Sequence, residues 1–252
     1  MRLSVPISLA LVPAVLLSAA AVSASRGDQS ARAVPLKDAK LNIEHNATDE
    51  DTGFQGFVDS EGWRRLDVRG PGGQVLAFEG RGKLAKLGLT ELFFESVEPE
   101  NAKVPLDVML AKLPAGNYTI AGPTQENGKS VGRTSGTALL THDIPAGPVL
   151  VSPAEGAAVP VRGVVARWKP VSKTITGKPV TIIAYQLIIE KDVEPHPHMI
   201  GKLGLSIYVP RSVTSMTVLD GFLQPRTKYK WEVLAIERSG NQTLSSGEFR
   251  TR

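Results

Sequence analysis

Short extended runs separated by turn signals are the feature that most restricts the fold of this chain. From Leu41 onward, apolar and polar side chains alternate in brief segments that end at glycine, proline or asparagine. The 252 residues include 24 Gly and 18 Pro, and 42% are hydrophobic, which suits a folded core with many turns. Strands this short indicate antiparallel β-sandwiches, because a parallel sheet would need crossover helices between its strands.

The first half contains one predicted hairpin, further strands and one short helix. Residues 63–69 and 74–79 flank a Gly/Pro turn and are predicted to pair as a hairpin. Residues 90–97, 118–122 and 137–142 read as strands, and Asn127-Gly128 marks a tight turn between the last two. Residues 104–110 are predicted to be the single helix, because Pro105 lies in its first turn and its apolar residues have helical spacing.

A proline-rich seam at residues 144–148 divides the chain. Two prolines and a glycine cannot continue a central strand, so we expect a stiff, short linker there. The predicted domains are therefore residues 39–145 and residues 148–252.

The last strands of the second half have a strongly one-sided pattern. Tyr229, Trp231, Val233 and Ala235 share parity and are predicted to face the core, whereas Lys228, Lys230 and Glu232 face solvent. Pro225 precedes this strand, and the Tyr229 hydroxyl can return to a backbone group a few residues upstream, as in a tyrosine corner. Packing explains each conspicuous residue of this segment.

These residues resemble a fibronectin type III domain over about residues 148–252. Trp168 stands before Pro170, where that family has a buried strand-B tryptophan, and residues 223–235 resemble its strand E-to-F segment. Ser239-Gly240-Asn241 is similar to its F–G turn. The resemblance implies an antiparallel β-sandwich.

The first half shows a weaker resemblance to the same fold. Residues 113–118 end in a turn followed by Tyr118, just as residues 223–229 end in Tyr229. We therefore expect two tandem sandwiches of immunoglobulin or fibronectin type III type, of which the first is divergent. Chance similarity between the two segments is the alternative. Residues 46–53 and 140–145 resemble a group of secreted bacterial fibronectin-like proteins, and that resemblance brings no activity with it.

The N-terminus has the order of a secretory signal. Arg2 is followed by an uncharged stretch from Leu3 to Ala24 that ends in small residues, which predicts cleavage after Ala24. An uncleaved membrane anchor is the alternative. Residues 25–38 read as a flexible leader. The predicted location is therefore secreted or periplasmic.

Composition excludes several classes of function. The chain has no Cys, which rules out disulfides, Cys-ligated metals and thiol nucleophiles. The formal net charge of +4 is spread along the chain and no reading motif is present, so nucleic acid is not a predicted partner. Contact with a membrane is expected only through an uncleaved signal.

An acidic turn is the candidate calcium site. Asp49 and Asp51 stand two residues apart before Gly53, as in the opening of a calcium loop, and the possible contributors nearby are Glu44, Asn46 and Asp59. The twelve-residue loop pattern fails because residue 60 is Ser, so an ordinary solvated turn is the alternative. No other cofactor is predicted.

The remaining residues that could take part in catalysis do not form a recognisable catalytic motif, so the protein is not predicted to be an enzyme. His196 and His198 could share a metal but lack an evident third ligand, and His45 and His142 read as structural. The sequence contains no nucleophile elbow and no complete nucleotide-binding loop. Glu91, Glu95 and Glu98 are predicted to be a solvated face.

Two functions from different classes remain. The first is a non-catalytic exported binding or spacer module for an unidentified protein or an envelope glycan, presented on a rigid scaffold. The second is an accessory carbohydrate-active or glycan-binding protein. Exposed rings at Trp63, Phe54, Phe57 or Tyr208 would favour the second, because sugars stack on aromatic side chains.

Overall fold

The computed structural model describes residues 32–199 and 201–252, and this part of the chain is built from strands. The first half contains β1 (Arg32–Pro35), β2 (Asp38–Asn46), β3 (Asp51–Trp63), β4 (Arg65–Gly70), β5 (Gly73–Glu79), α1 (Gly82–Leu87), β6 (Leu89–Glu95), α2 (Leu106–Leu110), β7 (Gly116–Glu126) and β8 (Lys129–Leu140). The second half contains β9 (Leu150–Ser152), β10 (Ala157–Val159), β11 (Val165–Trp168), β12 (Ile182–Lys191), β13 (Gly204–Pro210), β14 (Ser215–Thr217), β15 (Lys228–Glu237) and β16 (Gln242–Thr251).

Each half is a sandwich, and the two sandwiches have the same strand order. In the second, the sheet β14-β11-β9 faces the four strands β16-β15-β12-β13. In the first, β6-β3-β2 faces β8-β7-β4-β5. Taken in chain order, the seven strands β2 to β8 therefore match β9 and β11 to β16 one for one. The prediction of an all-β chain with tandem immunoglobulin-like sandwiches is confirmed.

Each sandwich has its own hydrophobic core. The core of the first half runs from Leu41 to Ile144, and that of the second half from Val164 to Phe249. Tyr229, Trp231, Val233 and Ala235 all lie in the second core with exposed fractions of 1% or less, as their shared parity predicts. Trp168, at 3% exposed, packs edge-on against Tyr185 in the same core. Aromatic burial on this scale is a large part of what stabilises a domain of this size.

Both halves contain a tyrosine corner. The Tyr229 hydroxyl accepts a hydrogen bond from the backbone N–H of Gln224, at 2.8 Å. The Tyr118 hydroxyl donates to the carbonyl oxygen of Pro114, at 2.7 Å, and the Tyr118 side chain is fully buried. The two halves, which the sequence indicates are similar, therefore share this structural feature.

Local elements agree with the sequence except at the helices. The predicted hairpin is β4–β5, and Asn127 and Gly128 both have positive φ, of 49° and 78°, as a two-residue hairpin turn requires. The predicted helix is α2. The expectation of one helix is wrong, because α1 is a second. α1 is six residues long and has no buried side chain. Its residues are good helix formers, but they have no periodic apolar face from which the sequence could predict a helix.

The predicted leader is partly a strand. Residues 32–35 form β1, which pairs in parallel with β8, and Val34 is buried against it. Leu36 and Lys37 donate backbone hydrogen bonds to Ser135 and Asp59, and Asp38 begins β2. The predicted signal peptide and residues 25–31 of the leader lie outside the described residues. Within the described residues, no helix is long and apolar enough to cross a membrane.

Candidate functional site: a groove across the domain junction

The two sandwiches share one sheet. β16 pairs in parallel with β2 at three positions, Gln242 with Glu44, Thr243 with His45 and Leu244 with Asn46. This short ladder joins β6-β3-β2 of the first sandwich to β16-β15-β12-β13 of the second, so seven strands form one continuous surface.

Buried polar side chains hold this junction. Asn241 is fully buried, its Oδ1 accepts the Ile43 backbone N–H at 2.9 Å, and its Nδ2 donates to Oγ1 and the carbonyl oxygen of Thr141 at 2.9 and 3.1 Å. The Thr243 hydroxyl, also fully buried, donates to the carbonyl oxygen of Pro145 at 2.6 Å. Satisfied buried polar groups of this kind fix one arrangement, because any other leaves them unpaired.

The outer face of the shared sheet forms a groove of about 680 Å³. Leu234 and Leu244 lie in its floor and are only 4% and 8% exposed, although they belong to neither sandwich core. Ile188 and Ile236 extend this apolar floor. The groove is therefore a lined depression and not an ordinary solvated sheet face.

Exposed aromatic rings lie on the two outermost strands of the groove. Tyr208 on β13 is 66% exposed, and Phe93 on β6 is 58% exposed. Both rings line the groove but stand at opposite ends of the seven-stranded sheet. Exposed rings beside an apolar floor are typical of binding surfaces, because covering them removes apolar area from water.

Three carboxylates meet at one end of this face. Oxygens of Glu44, Glu95 and Glu98 lie within 4.8 Å of one another. Gln55 Nε2 donates to both Glu44 and Glu95, at 2.9 and 2.7 Å, and Gln242 Nε2 also donates to Glu44 across the junction. The amides therefore bridge carboxylates that would otherwise repel one another.

Glu98 is half-buried, and its carboxyl lies in a confined position. Its side chain lies over Gly53, where a Cβ would come within 2.5 Å of the Glu98 Cγ, and its Oε1 is buried without a hydrogen-bond partner among the described residues. Burial raises the pKa of Glu98 to about 7, and the neighbouring charges of Glu44 and Glu95 act in the same direction. Burial also raises the pKa of Glu44, partly offset by the hydrogen bonds from Gln242 and Gln55.

The expectation of a solvated glutamate face holds only in part. Glu91 and Glu95 are exposed, but Glu98 is not, because the chain leaves β6 and folds back over Gly53. Strand alternation and register place Glu44, Gln55 and Glu95 on one face. No pattern in the sequence indicates that Glu98 joins them.

The residues of the predicted calcium site are spread out. In the β2–β3 turn, Asn46 Nδ2 donates to Asp49 at 2.8 Å, and Asn46 Oδ1 accepts the backbone N–H groups of Thr48 and Asp49. Asp51 begins β3, and burial followed by the charge of Asp49 raises its pKa. Asp59 lies eight residues further along the same strand, about 26 Å away.

Of the five residues proposed for calcium, only Glu44 belongs to a compact acidic group. Among the residues that the structure describes, the group of three or more carboxylates or imidazoles close enough to share an ion is Glu44, Glu95 and Glu98. Asp49 and Asp51 are not part of it. The calcium prediction at the turn stays a prediction.

The histidines lie apart from this groove. The rings of His196 and His198 are 5.4 Å apart in an exposed loop, and no carboxylate of the described chain completes a site with them. His45 is buried, its Nδ1 lies 3.0 Å from the carbonyl oxygen of Asp51, and burial lowers its pKa. His142 Nε2 lies 2.9 Å from the carbonyl oxygen of Leu113.

The four aromatic residues whose exposure would favour glycan binding differ in how exposed they are. Trp63 and Phe54 are core residues, 0% and 4% exposed. Phe57 is partly buried, with the Lys40 ammonium 5.5 Å from its ring centre. Tyr208 alone of the four is well exposed, and Phe93 adds a second exposed ring that the sequence did not single out.

Comparison with known proteins adds structural neighbours of low similarity. The chain is similar to a segment of two fibronectin type III domains from chicken tenascin, with 12% identity over 86% of this chain and 99% of that one and a TM-score of 0.31. It is also similar to the FN1–FN3 domains of chicken CNTN1, with 11% identity over 88% of this chain and 66% of that one and a TM-score of 0.33. No protein-family model and no curated protein matches the chain.

Proposed function

We propose that this chain is an exported, non-catalytic binding module whose ligand lies in the junction groove. The observation that carries this proposal is the pairing of β2 with β16, which turns two sheet faces into one surface with a buried apolar floor and exposed rings. Grooves of this kind bind ligands by covering apolar area, with a few polar groups setting orientation. The partner is a protein or a glycan of the cell envelope.

Rigidity of the junction supports a binding role over a loose spacer. The hydrogen bonds of Asn241 and Thr243 hold both halves of the groove in place before any ligand arrives. A surface that is already ordered loses less conformational entropy on binding, so more of the contact energy is available as affinity. A spacer would need no such lining on its concave face.

Capture of envelope material tests the proposal. The protein without residues 1–24 is incubated with solubilised envelope fractions, and a variant with Tyr208→Ser and Phe93→Ser is compared with it. The matched control carries Leu219→Ser and Leu139→Ser, because Leu219 is also 66% exposed and Leu139 is 54% exposed, both outside the groove. We expect the groove variant to lose capture by about tenfold or more, corresponding to about 1.4 kcal/mol, and the control to retain it. Equal capture by both variants would contradict the proposal.

A glycan-binding or carbohydrate-active role is the second candidate. The exposed rings of Tyr208 and Phe93 favour it, because sugars stack on aromatic faces, and the carboxylates of Glu44, Glu95 and Glu98 adjoin the same surface. Treating the envelope fraction with protease or with periodate before capture distinguishes the two partner classes. Release of reducing sugar that Glu95→Gln abolishes would establish hydrolysis in place of binding alone.

A further inference from the structure

The outermost strand of the second sandwich has an unprotected edge. β13 pairs with β12 over seven consecutive positions without a bulge, and its other edge has no partner strand among the described residues. The sequence of β13, from Gly204 to Pro210, contains no charged residue. Pro210 has no N–H, and its carbonyl oxygen accepts the Val213 N–H. The other backbone groups along that edge can pair with a further strand.

The other sheet edges of the described chain are protected. β9, β10 and β14 are three residues long, and the pairing of β5 with β4 contains a register shift. β6 carries Glu91 and Glu95, and β1 carries Arg32 and Pro35. Short length, bulges, charge and proline are the devices by which proteins prevent strands from joining edge to edge. β13 has only one of these devices, a proline at its last position, Pro210, and residues 204–209 carry none of them.

We propose that β13 pairs with β13 of a second copy of this chain, antiparallel and centred on Ile207. In that register Leu205 of each copy lies opposite Val209 of the other. All three of these side chains point towards the core in each sandwich, so the faces of the joined sheet match. Leu205 and Ile207 are only partly buried, and the pairing would cover more of their surface.

Charge does not oppose this pairing. Lys202 and Arg211, the basic residues that flank the strand, would lie opposite Ser212 and Leu203 and not opposite each other. On the outer face, Tyr208 of each copy would lie opposite Ser206 of the other, and the two Tyr208 rings would be diagonal neighbours within contact distance. The grooves of the two copies would then adjoin at their tyrosine ends.

The interface is small, so the dimer is weak. A ladder of seven residues falls at the low end of specific interfaces, and we expect association over about 10 µM to about 1 mM. Sedimentation equilibrium of the protein alone, without ligand, measures it. The mass should rise with concentration towards that of a dimer, and a single monomer mass throughout would overturn the proposal.

Charged variants locate the interface. Ser206→Lys with Tyr208→Lys places like charges directly opposite each other in the proposed register, and both positions are exposed, so folding is retained. We expect a monomer at every concentration. Thr137→Lys with Leu139→Lys adds the same charge on exposed positions of β8 and should still dimerise. Dimerisation of the β13 variant would show that another surface is responsible.

Cross-linking tests the register without relying on the charged variants. Because the chain has no cysteine, Ser206→Cys and Tyr208→Cys each introduce a single thiol. Mixing the two proteins under mild oxidation should give a cross-linked heterodimer at several times the yield of either protein alone, since residues 206 and 208 lie opposite only between copies. Equal yields in all three samples would contradict the antiparallel register. The readout is mass, so it is independent of whether the groove binds a ligand.

Discussion

At the scale of single residues, Glu98 is the group whose protonation depends most on the fold. Its carboxyl lies over Gly53 beside Glu44 and Glu95, and its pKa is raised to about 7 from an ordinary value of 4.5. A carboxyl with a raised pKa binds its proton more tightly in the folded state. Stability from this group is therefore full below about pH 4.5 and is lost as the pH rises towards 7.

Glu98→Gln tests this linkage. The amide keeps the shape of the protonated acid, so we expect the variant to melt at a higher temperature than the natural protein at pH 8 and at nearly the same temperature at pH 5. Glu91→Gln, an exposed change on β6, is the control and should leave the difference between the two pH values unchanged. Thermal melts at both pH values measure the effect. A variant as pH-dependent as the natural protein would show that Glu98 is solvated.

The tyrosine corner of the first sandwich is a second residue-scale test. Tyr118→Phe removes the hydroxyl that donates to Pro114 and leaves the rest of the buried ring in place. Loss of one such hydrogen bond should lower the free energy of unfolding by about 0.5–1.5 kcal/mol. Tyr208→Phe makes the same chemical change on an exposed ring and should have little effect. Denaturant unfolding measures both, and equal effects would contradict a structural role for the Tyr118 hydroxyl.

At the scale of elements, the β2–β3 turn carries the calcium prediction. Asp49 and Asp51 repel each other there, and an ion between them would stabilise the first sandwich. At ten times a dissociation constant of about 10⁻⁴–10⁻³ M, typical of extracellular modules, binding would add about 1.4 kcal/mol. We predict a higher melting temperature in calcium than in chelator, and a smaller rise in Asp51→Asn. Superimposed curves would show an ordinary solvated turn.

Controls separate this turn from the other candidate ion sites. Glu95→Gln changes only the three-carboxylate group beside the groove, so a rise that this variant abolishes would place the ion there and not at the turn. His196→Ala changes the exposed histidine loop and should leave the rise intact.

Elements set by local residues are the ones that the sequence predicts. The β4–β5 hairpin, the Asn127-Gly128 turn and the Tyr229 corner each depend on residues a few positions apart. Leu234 shows where such reasoning ends. Its parity is that of Lys230 and Glu232, which predicts a solvated side chain, but it is 4% exposed because Leu244 and the joined strands turn that face into a groove floor.

The candidate site itself depends on contacts that no local pattern encodes. The hydrogen bond from the Ile43 N–H to Asn241, and that from Gln242 to Glu44, each span 198 residues of sequence. The polar residues that form them resemble ordinary turn and strand-edge residues in the sequence. Only the parallel pairing of β2 with β16 gives them partners, and so the groove follows from the arrangement of domains.

At the scale of the whole molecule, the two sandwiches combine separate cores with a shared sheet. Separate cores favour independent folding, and the proline-rich seam and the complete seven-strand pattern after it support this. We predict that a fragment of residues 148–252 folds alone and unfolds cooperatively. Within it, Trp168→Ala should cost about 3–5 kcal/mol, because the indole lies in the core. A molten or insoluble fragment would mean that the halves depend on each other.

The shared sheet predicts that Asn241 couples the two halves in the full chain. Asn241→Ala leaves the buried Ile43 N–H and the Thr141 carbonyl without their partner, which should lower the free energy of unfolding by about 1–3 kcal/mol. Asn117→Ala, an exposed change on β7, is the matched control and should stay within about 0.5 kcal/mol. In calorimetry, we expect the natural protein to unfold in one transition and Asn241→Ala to unfold in two.

The fragment of residues 148–252 lacks Ile43 and Thr141, so Asn241→Ala should lower its free energy of unfolding by clearly less than in the full chain. An equal cost in the fragment and in the full chain would show that Asn241 stabilises only its own β15–β16 turn.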